Sequence, residues 1–178
     1  MGKLTIDNKN PFALIQLQPD KWQGLKGTTK NGFLIFDTAI NGARAGWINL
    51  WNTYLSKGIN TPNSIIVKYA PDGGGKDGAY SKFIAQRLGI TTDTAITTPK
   101  QIWELGRAIV YFEAGENWLS DKDLLEGYNL ARTRVALPEL SAVAPTDQDE
   151  KKKRLQLLLT IALPLVAYGL ISWRKKTP

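Results

Sequence analysis

Apolar and polar positions change period several times along this 178-residue chain. Up to residue 35 the apolar positions come as short runs, Phe12-Ala13-Leu14-Ile15-Gln16-Leu17 and Phe33-Leu34-Ile35-Phe36, separated by Trp22, Gly24, Gly27 and the Lys30-Asn31-Gly32 turn. This stretch reads as loops and short strands. The Asn-Gly pair marks a tight reversal, and the two runs are expected to pair as a small antiparallel ribbon.

From Ile40 the period becomes helical. Ile40, Ala43, Trp47, Leu50, Trp51 and Tyr54 fall on one face, and Gly58 is placed to end that helix. Thr61-Pro62 opens a second helix with Ile65, Ile66 and Tyr69 facing inward, stopped by Pro71. A glycine-rich loop, Asp72 to Gly78, precedes an apolar stripe of Tyr80, Phe83, Ile84 and Leu88 that Gly89 closes. Thr98-Pro99-Lys100-Gln101 has the form of a capping box, and Ile102, Leu105, Ile109 and Phe112 follow at helical spacing. Ser120-Asp121 opens a last helix with Leu124, Leu125, Tyr128 and Ala131. The expected fold class is mainly α with a small β element, an α+β arrangement.

Leu155 to Trp173 breaks with all of this: nineteen residues without a charge, bracketed by Lys151-Lys152-Lys153-Arg154 and Arg174-Lys175-Lys176. As a helix rising about 1.5 Å per residue, the run approaches the roughly 30 Å of a bilayer's hydrocarbon core. Tyr168 and Trp173 suit the headgroup zone at one end, and the basic clusters can reach lipid phosphates. Pro164 would break a helix in water, but a kink is tolerated inside a membrane span. A core helix of a soluble domain would show a polar face, and this run has none. The expected organisation is a globular domain over 1–135, a linker and basic juxtamembrane segment over 136–154, a single C-terminal transmembrane helix over 155–173 and a basic tail over 174–178. Met1-Gly2-Lys3-Leu4-Thr5 lacks the apolar core of a signal peptide, so a tail-anchored layout is expected, with the lipid bilayer as partner. Four basic residues before the span and three after leave its orientation open.

Composition narrows the chemistry. The chain has no cysteine and no histidine, which excludes disulfides, Cys or His nucleophiles, His-assisted serine hydrolysis and almost all zinc sites. Net charge is +7, but residues 1–135 hold sixteen Lys and Arg against twelve Asp and Glu. That mild excess, without an Arg-rich face, argues against specific nucleic-acid recognition. Gly73-Gly74-Gly75-Lys76 lacks the spacing and preceding strand of a phosphate loop, and Asp72 and Asp77 lack the companions of a calcium loop. No cofactor or metal is expected.

Carboxylates remain. Glu113 follows Val110-Tyr111-Phe112 at the end of its helix, before Ala114-Gly115. The negative end of the helix dipole and apolar neighbours would both raise its pKa, and a protonated glutamic acid beside a groove is what glycosidic cleavage needs as general acid. The same pattern also fits an ordinary solvated glutamate at a helix end. Asp37 reads as a second carboxylate or as the cap of the Ile40 helix. Trp47 and Trp51 lie on the inward stripe, whereas Trp22 and Trp118, in loops, are the better candidates to stack on a sugar ring.

The order of short motifs, Asn10-Pro11, Trp22-Gln23-Gly24, Phe33-Leu34-Ile35-Phe36-Asp37, Gly42-Ala43-Arg44-Ala45, Tyr69-Ala70-Pro71, Tyr80, Arg87-Leu88-Gly89, Ala108-Ile109, Glu113, Gly115 and Ser120-Asp121, resembles a family of phage virion structural proteins. The resemblance spans residues 9 to 131. That family is in turn similar to the lysozyme-like superfamily, which includes lytic transglycosylases and bacterial glucosaminidases. The resemblance implies a lysozyme-like domain in which Asn10, Trp22, Phe33 and Phe36 line a glycan groove and Glu113 matches the helix-end glutamate. It also implies a place in the virion membrane, reached through the host inner membrane during assembly, with peptidoglycan and capsid proteins as partners. Two departures leave alternatives open. The family's Asn-Pro-Gly-Asn-Ile-Arg stretch is replaced here by Asn10-Pro11-Phe12-Ala13-Leu14-Ile15-Gln16, without the glycine and arginine. Lysozyme-like enzymes also place the glutamate before the Asn-rich turn, where this chain has only Asp7. Either the helix is permuted and Glu113 is the acid, or the site is degenerate. Peptidoglycan cleavage is thus one expectation, a non-catalytic virion protein linking bilayer to capsid or cell envelope is another, and a cellular tail-anchored adaptor is a third.

Overall fold

Trp47 sits at the centre of the fold, and the surrounding elements are shaped to admit its ring. In a computed structural model, residues 2–15, 22–71, 76–115 and 118–140 are described, and all belong to one folded unit, Met1–Ser141. In chain order the elements are α1 (Gly2–Asp7), β1 (Leu25–Thr28), β2 (Leu34–Phe36), α2 (Ala39–Thr53), a 3-10 turn (Leu55–Lys57), α3 (Pro62–Tyr69), α4 (Ala79–Leu88), α5 (Pro99–Ala114) and α6 (Asp121–Arg132). The domain is mostly helical with a two-stranded antiparallel sheet, as the periodicity indicates.

Trp47, on α2, lies 5.3 Å edge-on from Phe12, 5.8 Å stacked from Trp103 of α5 and 4.8 Å edge-on from Tyr128 of α6. Its indole N–H donates to the Leu124 carbonyl at 3.3 Å. Glycines make room for these contacts. A Cβ on Gly106 would lie 1.9 Å from the Trp47 ring, one on Gly46 2.0 Å from the Phe12 ring, and one on Gly127 2.6 Å from the Ala43 methyl. Interiors packed to crystal density leave no slack for such overlaps, so these three positions fix how closely α2 is approached from Phe12, α5 and α6.

The helix starts follow local rules. Thr61 with Ser64 and Thr98 with Gln101 form reciprocal capping boxes, each with proline at the first helical position. Gly58, Gly89 and Gly115 take left-handed φ values of 74°, 66° and 77° at helix or turn ends. The cap of α2 is Thr38, whose hydroxyl accepts from the Asn41 amide at 3.1 Å. Asp37 stands one residue outside and accepts from the Asn41 side chain at 2.8 Å, so the sequence reading of Asp37 as the cap is off by one residue.

Two expectations for the first 35 residues change. The stretch opens with a short helix, α1, which only Leu4 and Ile6 could have signalled. The ribbon also has a different partner: β2 pairs with β1, Leu25–Thr28, a segment with one apolar residue and a glycine. The Phe12–Leu17 run contributes the single bridge Ile15–Phe33, beside a Leu34 N–H bond to the Leu14 carbonyl at 2.9 Å. Phe12 points into the core instead.

Packing continues past residue 135, where the sequence pattern has the spacer begin. Leu137 and Leu140 are buried, and the Tyr128 hydroxyl donates to the Pro138 carbonyl at 2.7 Å. Among the described residues no helix is long and apolar enough to cross a membrane. The run from Leu155 to Trp173, with Pro164 and Tyr168, lies outside the described residues.

Candidate functional site: a buried glutamate and two tyrosines

Glu113 stands in the last turn of α5, two residues before Gly115, whose N–H bonds the Tyr111 carbonyl at 2.8 Å and closes the helix. The side chain turns inward and keeps only 6 % of its surface exposed. Its Oε1 accepts a 2.9 Å hydrogen bond from the hydroxyl of Tyr80, the second residue of α4. Burial pushes the Glu113 carboxyl above its ordinary range, and the Tyr80 hydrogen bond works the other way by favouring the charged form. The carbonyl end of α5 adds a field that also disfavours a negative charge. Removal from water is the larger effect, so the net shift is upward, with Oε1 accepting from Tyr80.

Tyr80 is held from both sides. Its ring stacks on Phe112 at 3.8 Å and meets the edge of Tyr69 at 6.4 Å. Burial raises the phenol pKa of both Tyr69 and Tyr80 well above the usual value, and the nearby Glu113 charge pushes in the same direction. The Tyr69 hydroxyl donates to the Phe12 carbonyl. Through Tyr69 and Tyr80, then, the turn around Asn10 is connected to Glu113, although the two are about a hundred residues apart in the chain.

That turn is built by Asn10, 1 % exposed. Its Oδ1 accepts from the Leu14 N–H at 2.9 Å, and its Nδ2 donates to the Leu14 and Leu34 carbonyls at 2.9 and 3.1 Å. On either side, Lys9 and Ala13 adopt left-handed φ values of 52° and 47°, which side-chain-bearing residues disfavour. Ala13 keeps that conformation without a glycine because Asn10 fixes the backbone beyond it.

The sequence-derived site residues separate into two groups. Glu113 and the Asn10 turn are joined as described, and Phe33, half-buried, lies next to that turn through its bridge to Ile15. Two of the residues expected to line a groove are buried. Asn10 has every amide atom committed to backbone, and Phe36, in β2, is buried because alternate residues of the strand face the core. Neither presents a surface to a ligand. Trp22 and Trp118 are half-buried, and among the described residues no ring contact ties either to the tyrosine pair. The Trp118 indole N–H is enclosed and has no hydrogen-bond partner among the described residues. No group of three or more acidic side chains among the described residues is placed to hold a metal ion.

Sequence reasoning missed the tyrosines. Tyr69 and Tyr80 read as members of apolar stripes, which they are, and nothing in a helical period tells that their hydroxyls meet a carbonyl and a carboxyl. No protein-family model matches this chain, and no curated protein matches it.

Proposed function

We propose that this is a membrane-tethered phage virion protein whose lysozyme-like domain cleaves peptidoglycan glycan strands in the manner of a lytic transglycosylase, on the way into or out of the host cell. Glu113 is the general acid. The observation that carries this reading is a single carboxyl, buried at a helix end and steadied by Tyr80, whose burial raises its pKa above the ordinary range. The carboxyl proton of Glu113 passes to the glycosidic oxygen as that bond breaks. The sugar's own C6 hydroxyl closes an anhydro ring on the anomeric carbon and returns its proton to the Glu113 carboxylate. No second carboxylate nucleophile is required, which suits a site where Glu113 is the buried acid. The tether is the Leu155–Trp173 run, placed in the virion membrane on the hydrophobic argument alone.

The experiment is incubation of the full-length chain, in uncharged detergent, with purified peptidoglycan. Wild type releases anhydromuropeptides, and Glu113→Gln lowers the rate by about a hundredfold or more, the usual worth of a general acid. No release, or equal release by the variant, ends the catalytic reading.

A second reading has its own support. Asn10 and Phe36 serve the interior rather than a groove, as in a non-catalytic virion component that links the bilayer to capsid or cell envelope. Under that reading the full-length chain pulls down peptidoglycan or capsid protein without releasing muropeptides, and Glu113→Gln leaves this binding unchanged.

A further inference from the structure

Two Asn-Gly pairs occur in the chain, Asn31-Gly32 and Asn41-Gly42, and the fold places them in opposite settings. Asparagine is among the chemically labile residues, and a following glycine leaves it most open, because no Cβ hinders approach of the next backbone nitrogen. In the reaction, the glycine nitrogen attacks the side-chain carbonyl carbon of the asparagine, and the new C–N bond closes a succinimide. The Cγ–Nδ2 bond breaks, and the departing nitrogen takes up the glycine amide proton and leaves as ammonia. Water then opens either C–N bond of the ring. Opening at Cγ gives aspartate; opening at the backbone carbonyl gives isoaspartate, with the chain rerouted through the side chain. Water is the one co-reactant. The pair must be able to leave its folded geometry, since the glycine N–H has to be freed and the side chain swung over it.

Asn31-Gly32 is the tip of the β1–β2 hairpin. Asn31 is exposed, and among the described residues its side chain has no hydrogen-bond partner. The Gly32 N–H donates to the Thr29 carbonyl at 3.0 Å across the turn. Below the tip, the Thr29 N–H donates to the Phe33 carbonyl at 2.8 Å and the Phe33 N–H to the Thr29 hydroxyl at 3.1 Å. The turn bond can therefore open while the strands stay paired, and exposed tips open at little cost in free energy.

Asn41-Gly42 lies at the start of α2. The Asn41 Nδ2 donates to Asp37 Oδ1 at 2.8 Å and its backbone N–H to the Thr38 hydroxyl at 3.1 Å. The Gly42 N–H donates to the Thr38 carbonyl at 3.1 Å. Gly42 is buried, and a Cβ there would lie 2.0 Å from the Lys9 carbonyl oxygen, so that segment covers it. Freeing this pair means unwinding the start of α2 and lifting it off the chain at Lys9.

We propose that Asn31 is a site of spontaneous deamidation in the folded protein, and that the start of α2 shields Asn41 from the same reaction. The products place a carboxylate next to Lys30. Isoaspartate also lengthens the main chain at the turn that sets the register of the ribbon. That ribbon carries Leu34, whose N–H bonds the Leu14 carbonyl at 2.9 Å, so the change reaches the Asn10 turn. The site is separate from Glu113 and stands whether or not that residue is catalytic.

The test is incubation of the full-length chain in uncharged detergent at mildly alkaline pH, followed by trypsin digestion and fragment-ion mass spectrometry. Cleavage after Lys30 and Arg44 leaves both asparagines in one peptide, residues 31–44, so each is the other's internal control. A sample digested without incubation corrects for conversion during digestion. In the folded chain Asn31 is expected to convert at least about tenfold faster than Asn41, the factor that ~1.4 kcal/mol of extra opening cost supplies. In guanidinium chloride the two are expected to convert at similar rates. Incubated wild type, bearing isoaspartate, is expected to unfold at a lower temperature than Asn31→Gln incubated beside it, since the longer glutamine side chain closes its ring far more slowly. An intact Asn31, equal conversion of both residues in the folded chain, or the same preference kept in guanidinium chloride overturns the proposal. Equal unfolding temperatures would contradict the effect on the ribbon.

Discussion

At the residue scale, Glu113 is worth most to the fold when uncharged. Its folded pKa lies above the ordinary value because burial disfavours the carboxylate, so the folded protein holds the proton more tightly than the unfolded chain. Stability from this group is complete below the ordinary carboxyl range and is lost as pH rises through the raised value. Glu113→Gln removes that dependence. Chemical denaturation at stepped pH is expected to show the variant gaining on wild type as pH rises from 4 toward neutrality, by the linkage relation ~1.4 kcal/mol for each unit that the two pKa values differ; a constant difference across that range would contradict it. Tyr80→Phe deletes the donor that favours the charged form. It is expected to cost about 1 kcal/mol and to move the Glu113 pKa further up, which carboxyl-resolved NMR titration reads.

At the scale of elements, the turn at Asn10 and the seat of Trp47 are where single substitutions reach furthest. Asn10→Ala unpairs buried backbone groups of Leu14 and Leu34 and is expected to lower stability by roughly 2–4 kcal/mol in urea unfolding. Gly106→Ala forces a methyl into the Trp47 ring and is expected to lower it by about 1–3 kcal/mol. What could be read in the sequence follows the same division. α2 to α6 announced themselves through helical period, through Thr-Pro starts at Pro62 and Pro99 and through the glycine at 89, because these are local signals, whereas Gly58 closes the 3-10 turn and α2 ends earlier, at Thr53. β1 did not, since Leu25–Thr28 is held by its partner across the ribbon rather than by its own propensity. Glu113 was legible by place, at the end of an apolar helix. Its partner was not, because Tyr80 reaches it only once α4 and α5 are packed, with Tyr69 of α3 against the Tyr80 ring.

At the scale of the whole molecule, the proposed reading gives the folded unit to water and the apolar run of 155–173 to lipid. Deleting 155–173 is expected to abolish flotation of the protein with liposomes while the unfolding transition of the domain is retained; flotation that survives the deletion would place the membrane attachment elsewhere. The proposed catalytic role is tested most directly by applying the intact chain to peptidoglycan and measuring anhydromuropeptide release as a function of pH. With Glu113 as the acid, release falls as pH rises through its raised pKa, the falling limb moves to higher pH in Tyr80→Phe, and Glu113→Gln shows no release above background. A chain that releases nothing at any pH, or whose profile is the same with glutamine at 113, would contradict that role.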